Sequence, residues 1–87
     1  MPSDEQKLKV KQMLVSHLHM RMDPADIGDE DALFGDDGLG FDSVDAIEMV
    51  AGIEQDFGYS FASEDEARAH LANVSTLAAF LEEKGKL

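Results

Sequence analysis

The chain has 87 residues, 44% of them hydrophobic and 30% charged, enough for one modest core and too few for a catalytic domain beside a binding domain, so residues 1–87 read as one domain. Its 19 acidic and 7 basic residues give a formal net charge of −12, which argues against direct binding to nucleic-acid phosphates or anionic membranes and favours partners with basic patches. Cysteine is absent, which removes a disulfide framework, a thiolate zinc site and a cysteine nucleophile, and means that any thioester chemistry needs a thiol from outside the chain. No run of about 18 apolar residues is long enough to span a bilayer, and the N-terminus lacks the basic-then-apolar pattern of a secretory signal. The expected protein inserts into no membrane and resides in the cytoplasm.

Ser3 followed by Asp4, Glu5 and Gln6 reads as a capping box, and a first helix should run from about Asp4 to about His19. Val10, Met13, Leu14 and Leu18 form its core stripe, with His17 beside it and Lys7, Lys9 and Lys11 mostly outside. Asp23-Pro24 closes this segment, because proline disfavours helix in the residue before it. A long Asp- and Gly-rich connection follows, with Ile27, Leu33, Phe34, Leu39 and Phe41 as apolar anchors and a single helical turn expected over Asp29–Phe34. Gly35, Gly38 and Gly40 permit the backbone turns needed before Asp42.

Asp42 is the expected N-cap of a second helix over about Ser43–Phe57, with Asp45 adding favourable charge to its first turn and Gly58 ending it. Ala46, Met49, Val50, Ile53 and Phe57 fall on one side at helical spacing, and Asp45, Glu48, Glu54, Gln55 and Asp56 largely elsewhere. Ser43 then occupies the first helical position, small and reachable. Tyr59 and Phe61 dock into the core from a short connection, and Ser63-Glu64-Asp65-Glu66 reads as a capping box for a short helix through about His70 or Leu71. Ser75 is the expected cap of a last helix from about Thr76 to Lys84, with Leu77, Phe80 and Leu81 as its apolar stripe. The fold class is all-α, a small bundle of three main helices plus one short helix.

The run Gly38-Leu39-Gly40-Phe41-Asp42-Ser43-Val44-Asp45-Ala46-Ile47-Glu48-Met49 resembles the attachment motif of the acyl carrier proteins, in which the Ser of Asp-Ser-Leu or Asp-Ser-Ile carries 4′-phosphopantetheine. Leu33-Phe34-Gly35, Ile53-Glu54-Gln55-Asp56-Phe57 and Val74-Ser75-Thr76-Leu77-Ala78-Ala79-Phe80-Leu81 resemble other parts of carriers of the fatty acid and polyketide type, so the resemblance covers nearly the whole chain. It implies a monomeric, non-catalytic carrier that a phosphopantetheinyl transferase modifies at Ser43, next to Asp42. It implies further that the helix after Ser43 docks on that transferase and on acyl-processing enzymes such as ketosynthases, acyltransferases and acyl-carrier ligases. Val44, Asp45, Glu48, Ala51, Glu54 and Asp56 are the partner-facing candidates. In acyl carriers the core opens to shelter the attached chain, which makes Ile47, Val50, Ile53, Phe57, Phe61 and Leu77 candidate pocket residues.

Phe41 stands where Leu or Ala usually precedes the aspartate, and the region from Ala67 to Asn73 is slightly longer than the common pattern. These departures favour a specialised pathway over housekeeping fatty-acid synthesis. On the residues alone, Ser43 also fits an ordinary helix-start serine and the acidic face an unmodified adaptor for a basic protein. An EF-hand reading fails on its ligand positions, leaving Asp36 and Asp37 for casual divalent-ion binding, and His17, His19 and His70 are not spaced for zinc. Gly40-Phe41-Asp42-Ser43-Val44 lacks the second glycine of a nucleophile elbow, and no histidine or lysine in the motif supplies a base to Ser43.

Overall fold

In the computed structural model, which describes residues 2–34 and 38–87, the chain starts as its sequence predicts. Ser3 Oγ accepts from Gln6 N–H at 3.2 Å while Gln6 Oε1 accepts from Ser3 N–H at 2.8 Å, a closed capping box that opens α1 (Asp4–His17). The helix ends two residues before the expected His19. His19 adopts a left-handed φ of 52°, and Met20 N–H bonds back to the Val15 carbonyl at 3.1 Å, which closes the helix end and stops its propagation. Val10, Met13 and Leu14 are buried as the spacing requires, and Leu18 packs against them at the edge.

The connection from α1 to the second helix departs from expectation. The turn expected over Asp29–Phe34 is confined to its start, where Asp31 N–H reaches the Gly28 carbonyl at 3.3 Å and Asp31 Oδ2 accepts from Gly28 N–H at 3.0 Å, and it does not continue to Phe34; a short 3-10 turn also forms earlier, at Pro24–Asp26, where proline presets the backbone and Asp23 Oδ1 accepts from Ala25 N–H at 2.9 Å. The polar groups of the later segment are committed to partners far along the chain. The Asp29 carbonyl accepts from Ser75 N–H at 3.0 Å, Leu33 N–H donates to the Ala72 carbonyl at 3.0 Å, and the Leu33 carbonyl accepts from Phe41 N–H at 3.0 Å. Leu39 N–H also reaches the Ala32 carbonyl at 2.9 Å, an approach close enough that a Cβ on Gly38 would collide with that oxygen. Ile27 and Leu33 are fully buried, so the connection is pinned by apolar anchors and backbone bonds together. The expectations placed on Gly35, Asp36 and Asp37 lie outside the described residues.

α2 (Ser43–Phe57) ends at Gly58, α3 (Glu64–His70) follows, and α4 (Val74–Glu83) closes the bundle. Ser63 caps α3 by accepting from Glu66 N–H at 3.1 Å, but the expected reciprocal bond is missing. The Glu66 carboxylate serves the preceding connection instead, accepting from Ala62 N–H and the Tyr59 hydroxyl at 3.0 Å each. Burial, then the bond to Glu66, raises the Tyr59 pKa and keeps that hydroxyl a donor. The cap of α4 also differs from expectation: Asn73, not Ser75, accepts from Thr76 N–H, at 2.8 Å. Ser75 lies inside the first turn with its N–H given to Asp29 and its hydroxyl buried without a protein partner.

α1 packs against both α2 and α4, and α3 bridges α2 to α4. Met49 and Ile53 from α2, Leu71 after α3, and Val74, Leu77 and Leu81 from α4 meet the α1 stripe in one fully buried cluster, each large side chain contributing about 1.5–3 kcal/mol relative to exposure. The architecture is the expected all-α bundle of three main helices and one short one, with no strand among the described residues beyond an isolated bridge between Phe34 and Phe41.

Lys11 and Lys7 clamp the connection to α1 through Asp29, at 2.6 and 3.2 Å. The Lys11 hydrogen bond, aided by Lys7 and opposed by partial burial, holds the Asp29 carboxyl below its ordinary value of 3.8. A lowered folded pKa gives stability that is present above the unfolded value and lost as pH falls through the folded one. Asp29→Asn should therefore cost about 0.5–1 kcal/mol at pH 7 and low salt. In parallel urea titrations the gap from the parent should close as the pH is taken below 3.8.

Candidate functional site

The loop reaches α2 through Gly40, whose φ of 78° is a left-handed conformation that a residue with a Cβ adopts only under strain. Asp42 is then extended, at φ −120° and ψ −169°, and its Oδ1 accepts from Val44 N–H at 3.0 Å and Asp45 N–H at 3.1 Å. Asp45 Oδ2 returns the bond, accepting from Asp42 N–H at 3.0 Å. The first turn of α2 is thus held by two carboxylates placed at its positive end, where they satisfy otherwise orphaned donors. Ser43 sits at the first helical position, exposed, with both neighbours fixed by these bonds.

One side chain reaches Ser43 from another element. Arg68, in the last turn of α3, donates from Nη2 to Ser43 Oγ at 2.8 Å. Its position is set by Ala67 and Leu71, both buried in the core on either side of it. A guanidinium stays protonated and offers only donors, so Arg68 cannot act as a base toward the hydroxyl. His70, two residues on, is stacked on Phe80 with ring centroids 3.9 Å apart. Ser43 and Arg68 share a cleft of about 410 Å³ with Asp42, Phe34 and Phe41, and the two phenyl rings meet edge to face at 6.4 Å. The sequence reading missed Arg68. The signal available for it was charge: Arg68 is the one lysine or arginine between Met22 and Glu83, a span holding every acidic residue except Asp4 and Glu5.

A second, apolar cleft of about 230 Å³ lies between α2 and α3, lined by Ala46, Ile47, Val50, Phe61, Ser63 and Ala67. Three of the expected pocket residues, Ile47, Val50 and Phe61, come together here. Ile53 and Leu77 are instead shut inside the core, and Phe57 is half-buried against it. Of the partner-facing candidates, Val44, Glu48, Ala51 and Glu54 are exposed, and Val44 (66%) and Ile47 (60%) form an apolar step beside the acids. Asp45 is engaged in the cap and Asp56 pairs with His17 Nε2 across α1 and α2 at 3.2 Å, so both carry structural duties as well.

Among the described residues no cluster of His, Cys, Asp or Glu is arranged to hold a metal ion, and no helix is long and apolar enough to cross a membrane. A family profile described as "Phosphopantetheine attachment site" matches residues 9–81. The chain is also 40% identical over 78 residues to an acyl carrier protein of Bdellovibrio bacteriovorus, an alignment that covers 90% of this chain and 92% of that protein.

The double cap makes a measurable demand on stability. Asp42→Ala removes an acceptor for two amides and should cost about 1–2 kcal/mol, whereas Asp42→Asn, also a good cap, should lose less than half as much. Thermal unfolding of the two variants beside the parent measures the difference, the alanine variant melting about 4–8 °C lower for each kcal/mol lost.

Proposed function

The chain belongs to the acyl carrier protein family, whose members bear phosphopantetheine and are carriers rather than enzymes, and from that premise we propose that Ser43 is the residue that receives the group. The observation that carries this reading is the exposed Ser43 hydroxyl at the start of α2, fixed by the Asp42 and Asp45 caps and inside the region matched by the family. The residues fit the group: a hydroxyl open to solvent, a wide cleft beside it and a cation at 2.8 Å. In the loading reaction Ser43 Oγ attacks the β-phosphorus of coenzyme A. A serine O–P bond forms, the pyrophosphate bond breaks, adenosine 3′,5′-bisphosphate leaves, and the hydroxyl proton passes to a base on the transferase. Positioning and Mg²⁺ on that enzyme do most of the work, so the carrier has only to present its hydroxyl. When bound, the group supplies the thiol that this cysteine-free chain lacks, and acyl groups ride on it as thioesters.

α2 is the proposed docking surface for the transferase, ketosynthases, acyltransferases and acyl-carrier ligases. Glu48 and Glu54 face their basic patches, while Val44 and Ala51 add a small apolar centre. Ile47, Val50 and Phe61, with Ala46 and Ala67, form the proposed shelter for the first carbons of an attached chain. Ile53, Phe57 and Leu77 join it only if the core opens. The protein acts as a monomeric single carrier domain in the cytoplasm and delivers acyl intermediates to fatty acid, polyketide or related specialised lipid biosynthetic enzymes. Phe41, packed on Phe34 at the mouth of the Ser43 cleft, supports the specialised branch.

Incubation with coenzyme A, Mg²⁺ and a broad-specificity phosphopantetheinyl transferase should add one phosphopantetheine by intact mass, and Ser43→Ala should add none. No gain in the parent with several transferases would leave the chain an unmodified acidic adaptor. Replacing Glu48 and Glu54 together by lysine should lower the transferase kcat/KM about tenfold at low salt, with the difference shrinking as salt rises.

A further inference from the structure

We propose that Arg68 is a positioning residue for the prosthetic group: its guanidinium holds the phosphodiester formed on Ser43 and turns the start of the arm into the cleft lined by Phe34 and Phe41. This rests on Ser43 being the modified residue.

Nη2 of Arg68 already donates to Ser43 Oγ at 2.8 Å. Esterification replaces the hydroxyl proton by phosphorus and sets two non-bridging oxygens, sharing one negative charge, two bonds beyond Oγ. The group that Nη2 meets at Ser43 thereby changes from a neutral hydroxyl to an anion with two acceptors, which suits a planar fork of N–H donors and makes a charge-assisted bond.

The α2 terminus offers the phosphate little help of its own. A helix start normally binds anions through its free N–H groups, but here Asp42 Oδ1 has taken those of Val44 and Asp45. The Asp42 and Asp45 carboxylates also stand beside Ser43, so a further negative charge is placed next to two existing ones. Arg68 is the cation in contact with that oxygen, and the sequence has no other lysine or arginine between Met22 and Glu83. Its own helix is held by Ser63, by the Glu66 bonds to Tyr59 and Ala62, and by buried Ala67 and Leu71. The donor therefore stands in place before modification.

The test compares unmodified and phosphopantetheinylated forms of the parent, Arg68→Gln and Arg68→Lys, each confirmed by intact mass. In the parent, modification should move the thermal midpoint upward relative to the same step in Arg68→Gln by about 4 °C at low salt. The gap should narrow with salt, and Arg68→Lys should restore part of it. The ³¹P resonance of the diester should shift between the modified parent and modified Arg68→Gln. Equal midpoint changes on modification in the parent and Arg68→Gln, with one unchanged ³¹P resonance, would overturn the role of Arg68 while leaving Ser43 in place. Failure of the parent to gain mass would overturn the Ser43 assignment and this role with it.

Discussion

The structure depends on where α2 begins. Asp42 and Asp45 settle it by exchanging hydrogen bonds, carboxylate to amide in both directions, over four residues. Helical residues advance by about 100° each, so a start one residue early or late would turn Ser43 away from its cleft and carry Met49 and Ile53 out of the core. The cap that makes the helix is the same device that makes the site. Behind it the connecting loop is tied to the junction of α3 and α4 through Leu33 and Ala72, and to α4 through Asp29 and Ser75, so Ser43 and Arg68 are brought together by one continuous network of backbone bonds and buried side chains.

Charge is distributed with equal consequence. α1 carries lysines that are partly neutralised by Asp29, and His17 takes Asp56. Asp45 is engaged in the cap. Glu48 and Glu54 remain exposed on α2 next to Val44 and Ile47, which combines a charged rim with an apolar step in the manner of transient protein contacts. In the docking role proposed for α2, such a surface would set association rate and partner choice more than affinity, which suits a carrier that must leave each enzyme after visiting it.

The sequence was most legible where structure is local. Ser3 with Gln6 and Asp42 with Asp45 declare two helix starts within four residues each, and Gly58 marks the end of α2. Asn73 and Ser75 are both competent caps, and what separates them is a long-range bond from Ser75 N–H to the Asp29 carbonyl that no local pattern contains. The same long-range demands stop the turn that begins at Gly28–Asp31 from continuing to Phe34. Periodicity places Ile47, Val50 and Ile53 on related faces but says nothing of depth, which is why Ile53 lies in the closed core while Ile47 lines an open cleft. Arg68 is 25 residues from Ser43, and only the packing of α3 against α2 brings them together.

The most direct measurement of the central claim is fragmentation mass spectrometry of the protein isolated from its own cells. The account predicts phosphopantetheine on the peptide containing Ser43, with Ser3, Ser16, Ser60, Ser63 and Ser75 unmodified. The group on any other serine, or an unmodified Ser43 throughout the population, would contradict it.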